Sequence, residues 1–258
     1  MTSPAFSRRF LLALLAGGFL FAQSTQAEVY ELRTYVTHPG KLEALLKRFA
    51  DHTCALFEKH GMTNLGYWVP TEQADGADNR LIYLIAHDSR EAAKTNWAAF
   101  QADPQWQSAR KASEEGGKIL QSVEAQFLEP SAFFPKLNRE GGPAGRVFEL
   151  RIYRCNPGKL EALHQRFANH TVALFSKHGM AHIGYWNPIA GERGHGEQLI
   201  YLLAHPSRQA GLDAFKAFRA DPQWIEAKAA SEKDGSLTQA KDGVKSIYLR
   251  ATDFSPLR

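Results

Sequence analysis

The sequence predicts an α+β protein built of two tandem βαββαβ units whose sheets pack against each other, and three observations carry that prediction. First, the chain writes one stretch twice. Glu31-Leu32-Arg33-Thr34-Tyr35, Pro39-Gly40-Lys41-Leu42, His60-Gly61-Met62 and Gly66-Tyr67-Trp68 return at a constant offset of 118. The second set reads Glu149-Leu150-Arg151-Ile152-Tyr153, Pro157-Gly158-Lys159-Leu160, His178-Gly179-Met180 and Gly184-Tyr185-Trp186. A period that long is a duplicated domain rather than a solenoid unit. Second, each copy orders its periodic segments strand, helix, strand, strand, helix, strand, the ferredoxin-like arrangement with both helices on one face of an antiparallel sheet. Third, Leu81 to Ala86 and Leu199 to Ala204 are apolar at consecutive positions, the mark of a strand buried on both faces. Helices cover one face, so the other copy's sheet is the economical cover for the second.

In chain order, Val29 to Val36 alternates as a strand, with Tyr30, Leu32 and Thr34 on one face and Glu31, Arg33 and Tyr35 on the other. The first set becomes Phe148, Leu150 and Ile152 in the second copy, and the expectation is that this apolar face meets the helices. Pro39-Gly40 breaks the strand, and Lys41 to Lys59 carries Leu42, Leu45, Leu46, Phe49, Leu56 and Phe57 at helical spacing until Gly61 ends it. A second strand follows near Thr63 to Val69, then a polar loop, then the strand Leu81 to Ala86. Ser89 caps the next helix, and Asp103-Pro104 restarts it after Gln101, Asp as N-cap and Pro at the first helical position. Val123 to Glu129 is the fourth strand. The expected domains are residues 28–133 and 146–258, joined by a Pro- and Gly-containing linker over residues 134–145.

Residues 1–27 read as a cleavable export signal: Ser7-Arg8-Arg9, an uncharged apolar run from Phe10 to Ala22, and small residues before Glu28. The expected location is the periplasm or the exterior, with no stable membrane insertion after cleavage; the Arg pair also resembles a twin-arginine signal. The formal charge of +4 falls by two without Arg8 and Arg9, and the remaining cations are dispersed among acids, which argues against a nucleic-acid partner. Cys54 aligns with Val172 and Cys155 with Thr37, so two isolated buried thiols are expected rather than a duplicated disulfide. No metal-type spacing, Gly-rich phosphate loop or nucleophile elbow appears, and neither a metal nor a cofactor is expected.

The chemistry-bearing candidates are the polar face of the first strand and a few repeated side chains. If the apolar face meets the helices, then Glu31, Arg33 and Tyr35, with Glu149, Arg151 and Tyr153, point into the space between the sheets. Charges do not enter a dry interior unpaired. They either pair and fix the register, or line a wet pocket for a small polar or anionic ligand. His87, whose repeat His205 is a candidate ligand-binding residue, ends the strand Leu81 to Ala86 and is the first candidate for general acid–base work. His60 is the second, against the plainer role of satisfying carbonyls at its helix end. Trp68 and Trp186 either pack in the core or stack a planar ligand.

These stretches, with Lys59-His60-Gly61-Met62 and Asp103-Pro104-Gln105-Trp106 and their repeats, resemble the NIPSNAP family over both copies. The resemblance implies the dimeric α/β barrel superfamily, here an intramolecular dimeric α/β barrel, and implies little biochemistry. The function expected is therefore an exported protein that binds a small ligand or a protein partner in or around the duplicated barrel, with outer surfaces able to form a homo-oligomer. The alternative is a cofactor-independent oxygenase or isomerase for a small aromatic or enolisable substrate, using His87 or His60 with Tyr35 and Arg33.

Overall fold

The structure, a computed structural model, describes residues 28–134, 136–140, 142–143 and 145–258. The expected signal over residues 1–27 lies outside the described residues. The first copy runs β1 (Val29–Thr37), α1 (Leu42–Arg48), a π-helical turn (Phe49–Thr53), α2 (Cys54–Lys59), β2 (Thr63–Pro70), β3 (Arg80–His87), α3 (Arg90–Ala102), α4 (Pro104–Ser113) and β4 (Leu120–Pro130). The second repeats it as β5 (Val147–Arg154), α5 (Leu160–Arg166), a π turn (Phe167–Thr171), α6 (Val172–Lys177), β6 (Ala181–Pro188), β7 (Gln198–His205), α7 (Arg208–Ala220), α8 (Pro222–Ser231) and β8 (Val244–Ala251).

Local chemistry sets the boundaries. Gly61, at φ 73°, closes a Schellman cap in which the Met62 amide donates to the Phe57 carbonyl at 2.9 Å and the Gly61 amide to Glu58 at 3.1 Å. Ser89 caps α3 by accepting from the Ala92 amide, and Asp103 caps α4 by accepting from Gln105, as their sequence positions imply. The helix expected over Lys41 to Lys59 instead carries one widened turn. There the Thr53 hydroxyl donates to the Arg48 carbonyl at 3.1 Å, and Thr171 does the same to Arg166 at 3.2 Å.

The eight strands close into one barrel in the order β1-β3-β2-β8-β5-β7-β6-β4. The copies are stitched at two antiparallel seams, β2 with β8 (Val69 opposite Arg250) and β4 with β6 (Glu129 opposite Asn187). Among the described residues closure leaves no free sheet edge. The tandem ferredoxin-like units and their joint barrel are thus the architecture the sequence predicts.

The phase of β1 is the reverse of the expectation. Tyr30 and Leu32, with Phe148, Leu150 and Ile152, belong to the cluster inside the barrel, whereas Tyr35 packs with Phe49, Phe57 and Phe100 under the helices. Glu31, Arg33 and Tyr35, and likewise Glu149, Arg151 and Tyr153, therefore face the helix layer and not the space between the sheets. The barrel centre explains this: Leu84, Leu128, Leu202 and Leu249 fill it so that only about 10 Å³ stays empty, leaving no room for a charge and its partners. Trp68 and Trp186 lie in the same core, 2% and 3% exposed. Gly66 and Gly184 make their poses possible, since a Cβ at either would sit 2.1 or 2.4 Å from an indole carbon two residues on.

Two segments interlock the copies. After β4 the Ser131 amide donates to the Tyr185 carbonyl at 2.8 Å and Phe133 and Phe134 pack into the second copy's core. After β8, Ser255 accepts from the Tyr67 amide at 2.9 Å and Phe254 packs into the first copy's core. Cys54 is half-buried and Cys155 buried, both free thiols. Among the described residues no helix is long and apolar enough to cross a membrane.

Candidate functional site

Each copy carries a buried carboxylate between sheet and helices. Glu31, 1% exposed, accepts from the Arg33 guanidinium at 2.5 Å, from the Trp97 indole at 2.7 Å and from His87 Nε2 at 3.0 Å. Burial pushes its carboxyl up, but the His87 bond, the Arg33 charge and the Trp97 bond outweigh that and hold it below the ordinary value. An ionised carboxylate only accepts, so His87 Nε2 carries the proton. Glu149 repeats the arrangement with Arg151 at 2.7 Å and His205 at 2.9 Å.

The third donor differs between copies. Phe215 stands where Trp97 does in the first copy, and Ser246, where the first copy has Ala125, donates to Glu149 at 2.5 Å. Two substitutions thus keep the number of donors constant. A second exchanged pair lies beside it. Tyr248 replaces Phe127, and Gly211 replaces Ala93, where a Cβ would come within 3.0 Å of the Tyr248 hydroxyl.

The sequence candidates distribute unevenly around this frame. The His87 side chain is 0% exposed and that of His205 1%, so both are sealed partners of a carboxylate. His60 does not bind its own helix's carbonyls. Its Nε2 meets Asp103 Oδ2 at 2.7 Å beside the Lys59 ammonium at 2.7 Å, tying the end of α2 to the start of α4. His178 and Lys177 do the same to Asp221 at 2.8 and 2.7 Å. Trp68 and Trp186 are inside the barrel, away from both histidine pairs.

Arg33 and Tyr35 do reach an open space. A cleft of about 630 Å³ lies between β1, α1, α3 and α4, floored by Arg33, Tyr35 and Arg48 and walled by Trp97, Phe100 and Trp106, with Arg110, Glu114 and Lys118 at its rim. The Arg33 guanidinium stacks 4.3 Å over the Trp97 ring, and that of Arg48 5.2 Å over Trp106. Arg48, 2% exposed at its side chain, pairs with Glu114 at 3.3 Å, which also meets Arg110 at 3.5 Å. The Nε atoms of Arg33 and Arg48 are buried with no hydrogen-bond partner among the described residues.

Sequence reasoning missed Trp97, Arg48 and Trp106. A signal for two of them was present: Arg48 interrupts the apolar helical stripe of the first copy and Arg166 that of the second, and each is followed by an Asp-Pro-Gln-Trp turn. Among the described residues there is no group of three or more His, Cys, Asp or Glu placed to hold a metal ion.

The sequence model of the family described as NIPSNAP matches residues 30–135 and 148–256. The chain is 30% identical over 139 residues to a protein named NipSnap homolog from Dictyostelium discoideum, an alignment covering 53% of each. It thus spans about half the length of that relative. Among solved structures it is similar to one from Lactobacillus acidophilus, provisionally named a monooxygenase, at a TM-score of 0.55 and 10% identity, covering 88% of this chain and 94% of that one. A Fusobacterium nucleatum protein with the same provisional name matches at TM-score 0.52 and 10% identity, covering 88% and 93%. At such identity these two likenesses concern the fold alone.

Proposed function

The chain belongs to the NIPSNAP family, and on that footing we propose that it binds a small, flat, anionic molecule in the cleft between the first copy's sheet and its helices. The observation that carries this reading is the lining itself: aromatic walls around guanidinium groups. The volume falls within the roughly 300–1,000 Å³ usual for small-molecule sites. Among the described residues that line it, Arg33, Arg48, Arg110 and Lys118 outnumber Glu114, the one carboxylate. A planar anion gains from both features, stacking on indole and pairing with guanidinium.

The geometry supports binding more than catalysis. The one lining carboxylate is already held by Arg48 and Arg110, and His87 is walled off behind Glu31. A general base must come within hydrogen-bond reach of the proton it takes.

Titration of the purified protein with a panel of aromatic carboxylates, read by calorimetry and thermal shift, tests the proposal. Binding is expected to weaken about tenfold in Lys118→Glu, a rim position, with an unchanged melting temperature. Absence of binding across the panel, or equal affinity in the variant, would reject it.

A further inference from the structure

We propose that the open end of the barrel is a separate ligand site, one that takes a small anion carrying a short apolar tail. The inward-facing layers change character along the barrel axis. At the closed end Tyr30, Phe148, Trp68 and Trp186 are buried, and Leu137 and Leu257 from the two crossing segments pack against the same cluster. At the other end the last inward positions of β3, β5 and β8 are Arg80, Arg154 and Lys245, and Arg193 of the β6–β7 loop stands at the lip.

These cations surround a cavity of about 170 Å³ floored by Leu32, Ile82, Leu150, Ile152 and Ile247. Apolar floor and cationic lip together are what an amphipathic anion needs: the tail leaves water while the head keeps charged partners. The volume limits the tail. At ~30 Å³ per water it holds the equivalent of about six waters, so a few carbons fit. Beneath the floor only about 10 Å³ is empty, so the tail stops there.

The cations are short of partners. Among the described residues Glu124 is the one carboxylate lining the cavity; it lies 3.6 Å from Arg193, and both are exposed. Arg80 has its Nε buried without a hydrogen-bond partner among the described residues. Its pose depends on Gly76, where a Cβ would lie 2.7 Å from the Arg80 Cδ. The lip is also held in place, since the Gln126 amide of β4 donates to the Arg193 carbonyl at 2.5 Å, bridging the copies.

Divergence between the copies created this charge. Arg154 stands where the first copy has Val36, and Lys245 where it has Glu124. The repeat therefore supplies the test, because each residue can be replaced by the one its own twin carries.

Calorimetric titration of the purified protein with hexanoate, hexan-1-ol and inorganic phosphate separates head from tail. Hexanoate is expected to bind more tightly than either, and R154V/K245E to weaken it at least about tenfold. R154V alone is expected to weaken it less, which keeps the proposal testable should the double variant fail to fold. Lys118→Glu, at the rim of the helix-side cleft, should leave hexanoate binding unchanged. Four results would each overturn the proposal: a hexanoate Kd above about 1 mM, unchanged affinity in the folded variants, phosphate or hexanol binding as tightly as hexanoate, or a loss on Lys118→Glu equal to that on R154V.

Discussion

Glu31 accepts from His87, Arg33 and Trp97, and Glu149 from His205, Arg151 and Ser246. A carboxylate buried to that extent is costly unless its lone pairs are occupied, so losing one donor leaves a penalty that the other two do not remove. The second copy shows that the donor need not come from the helix. Trp97→Phe, which copies Phe215, is therefore expected to destabilise the protein by about 1.5–3 kcal/mol, the range for a hydrogen bond to a charged group. Adding Ala125→Ser, which copies Ser246, should recover about 1 kcal/mol or more. Urea unfolding of the two single variants and the double gives the coupling energy, and a coupling near zero would show that the two halves do not satisfy their carboxylates interchangeably.

Between elements, the contact that sets the helix layer is the end of α2 against the start of α4. Asp103 caps α4 and at the same time accepts from Lys59 and His60, and these bonds hold its carboxyl well below the ordinary value of 3.8. Lys177 and His178 push Asp221 down to about 2. A carboxyl lowered on folding contributes stability that is fully present above its unfolded value and is lost as pH falls through the folded one. Glu31 and Glu149, also held down, add to the same acid-side loss. Asn remains a good N-cap, so Asp103→Asn with Asp221→Asn removes the charge tie and keeps the cap. That variant should melt a few degrees lower at neutral pH and lose less melting temperature than the wild type between about pH 5 and pH 3. Parallel melting curves across that range would rule out the carboxylate tie as a source of acid sensitivity.

For the whole molecule, the consequence of the interlock is that neither copy completes its own core. Phe254 stacks on Phe49 with ring centroids 6.5 Å apart, and the Leu257 amide donates to the Leu65 carbonyl at 3.1 Å, both across the pseudo-symmetric boundary. Removing residues 254–258 should therefore injure the first copy more than the second, to which they are covalently attached. The expected loss is ~3–5 kcal/mol, the scale of deleting a buried Phe. Hydrogen exchange locates it: the Tyr67 amide, bonded to Ser255, should exchange faster while the Tyr185 amide, in the second copy, stays as protected as before. Faster exchange confined to the second copy would contradict the crossed arrangement.

The sequence by itself determined the duplication, the order of elements in each copy, the caps at Gly61, Ser89 and Asp103, and the need for the sheets to cover each other. Those are local or periodic properties, readable from spacing. The tertiary structure alone decided which face of β1 looks inward. Alternation shows that Glu31, Arg33 and Tyr35 oppose Tyr30, Leu32 and Thr34, but both faces are buried, so period alone does not assign them. The assignment depends on two non-local quantities. One is the volume at the centre of the barrel, level with Leu32 and Leu84, which large apolar side chains exhaust. The other is the supply of donors under the helices, where Trp97 reaches Glu31 from 66 positions along the chain.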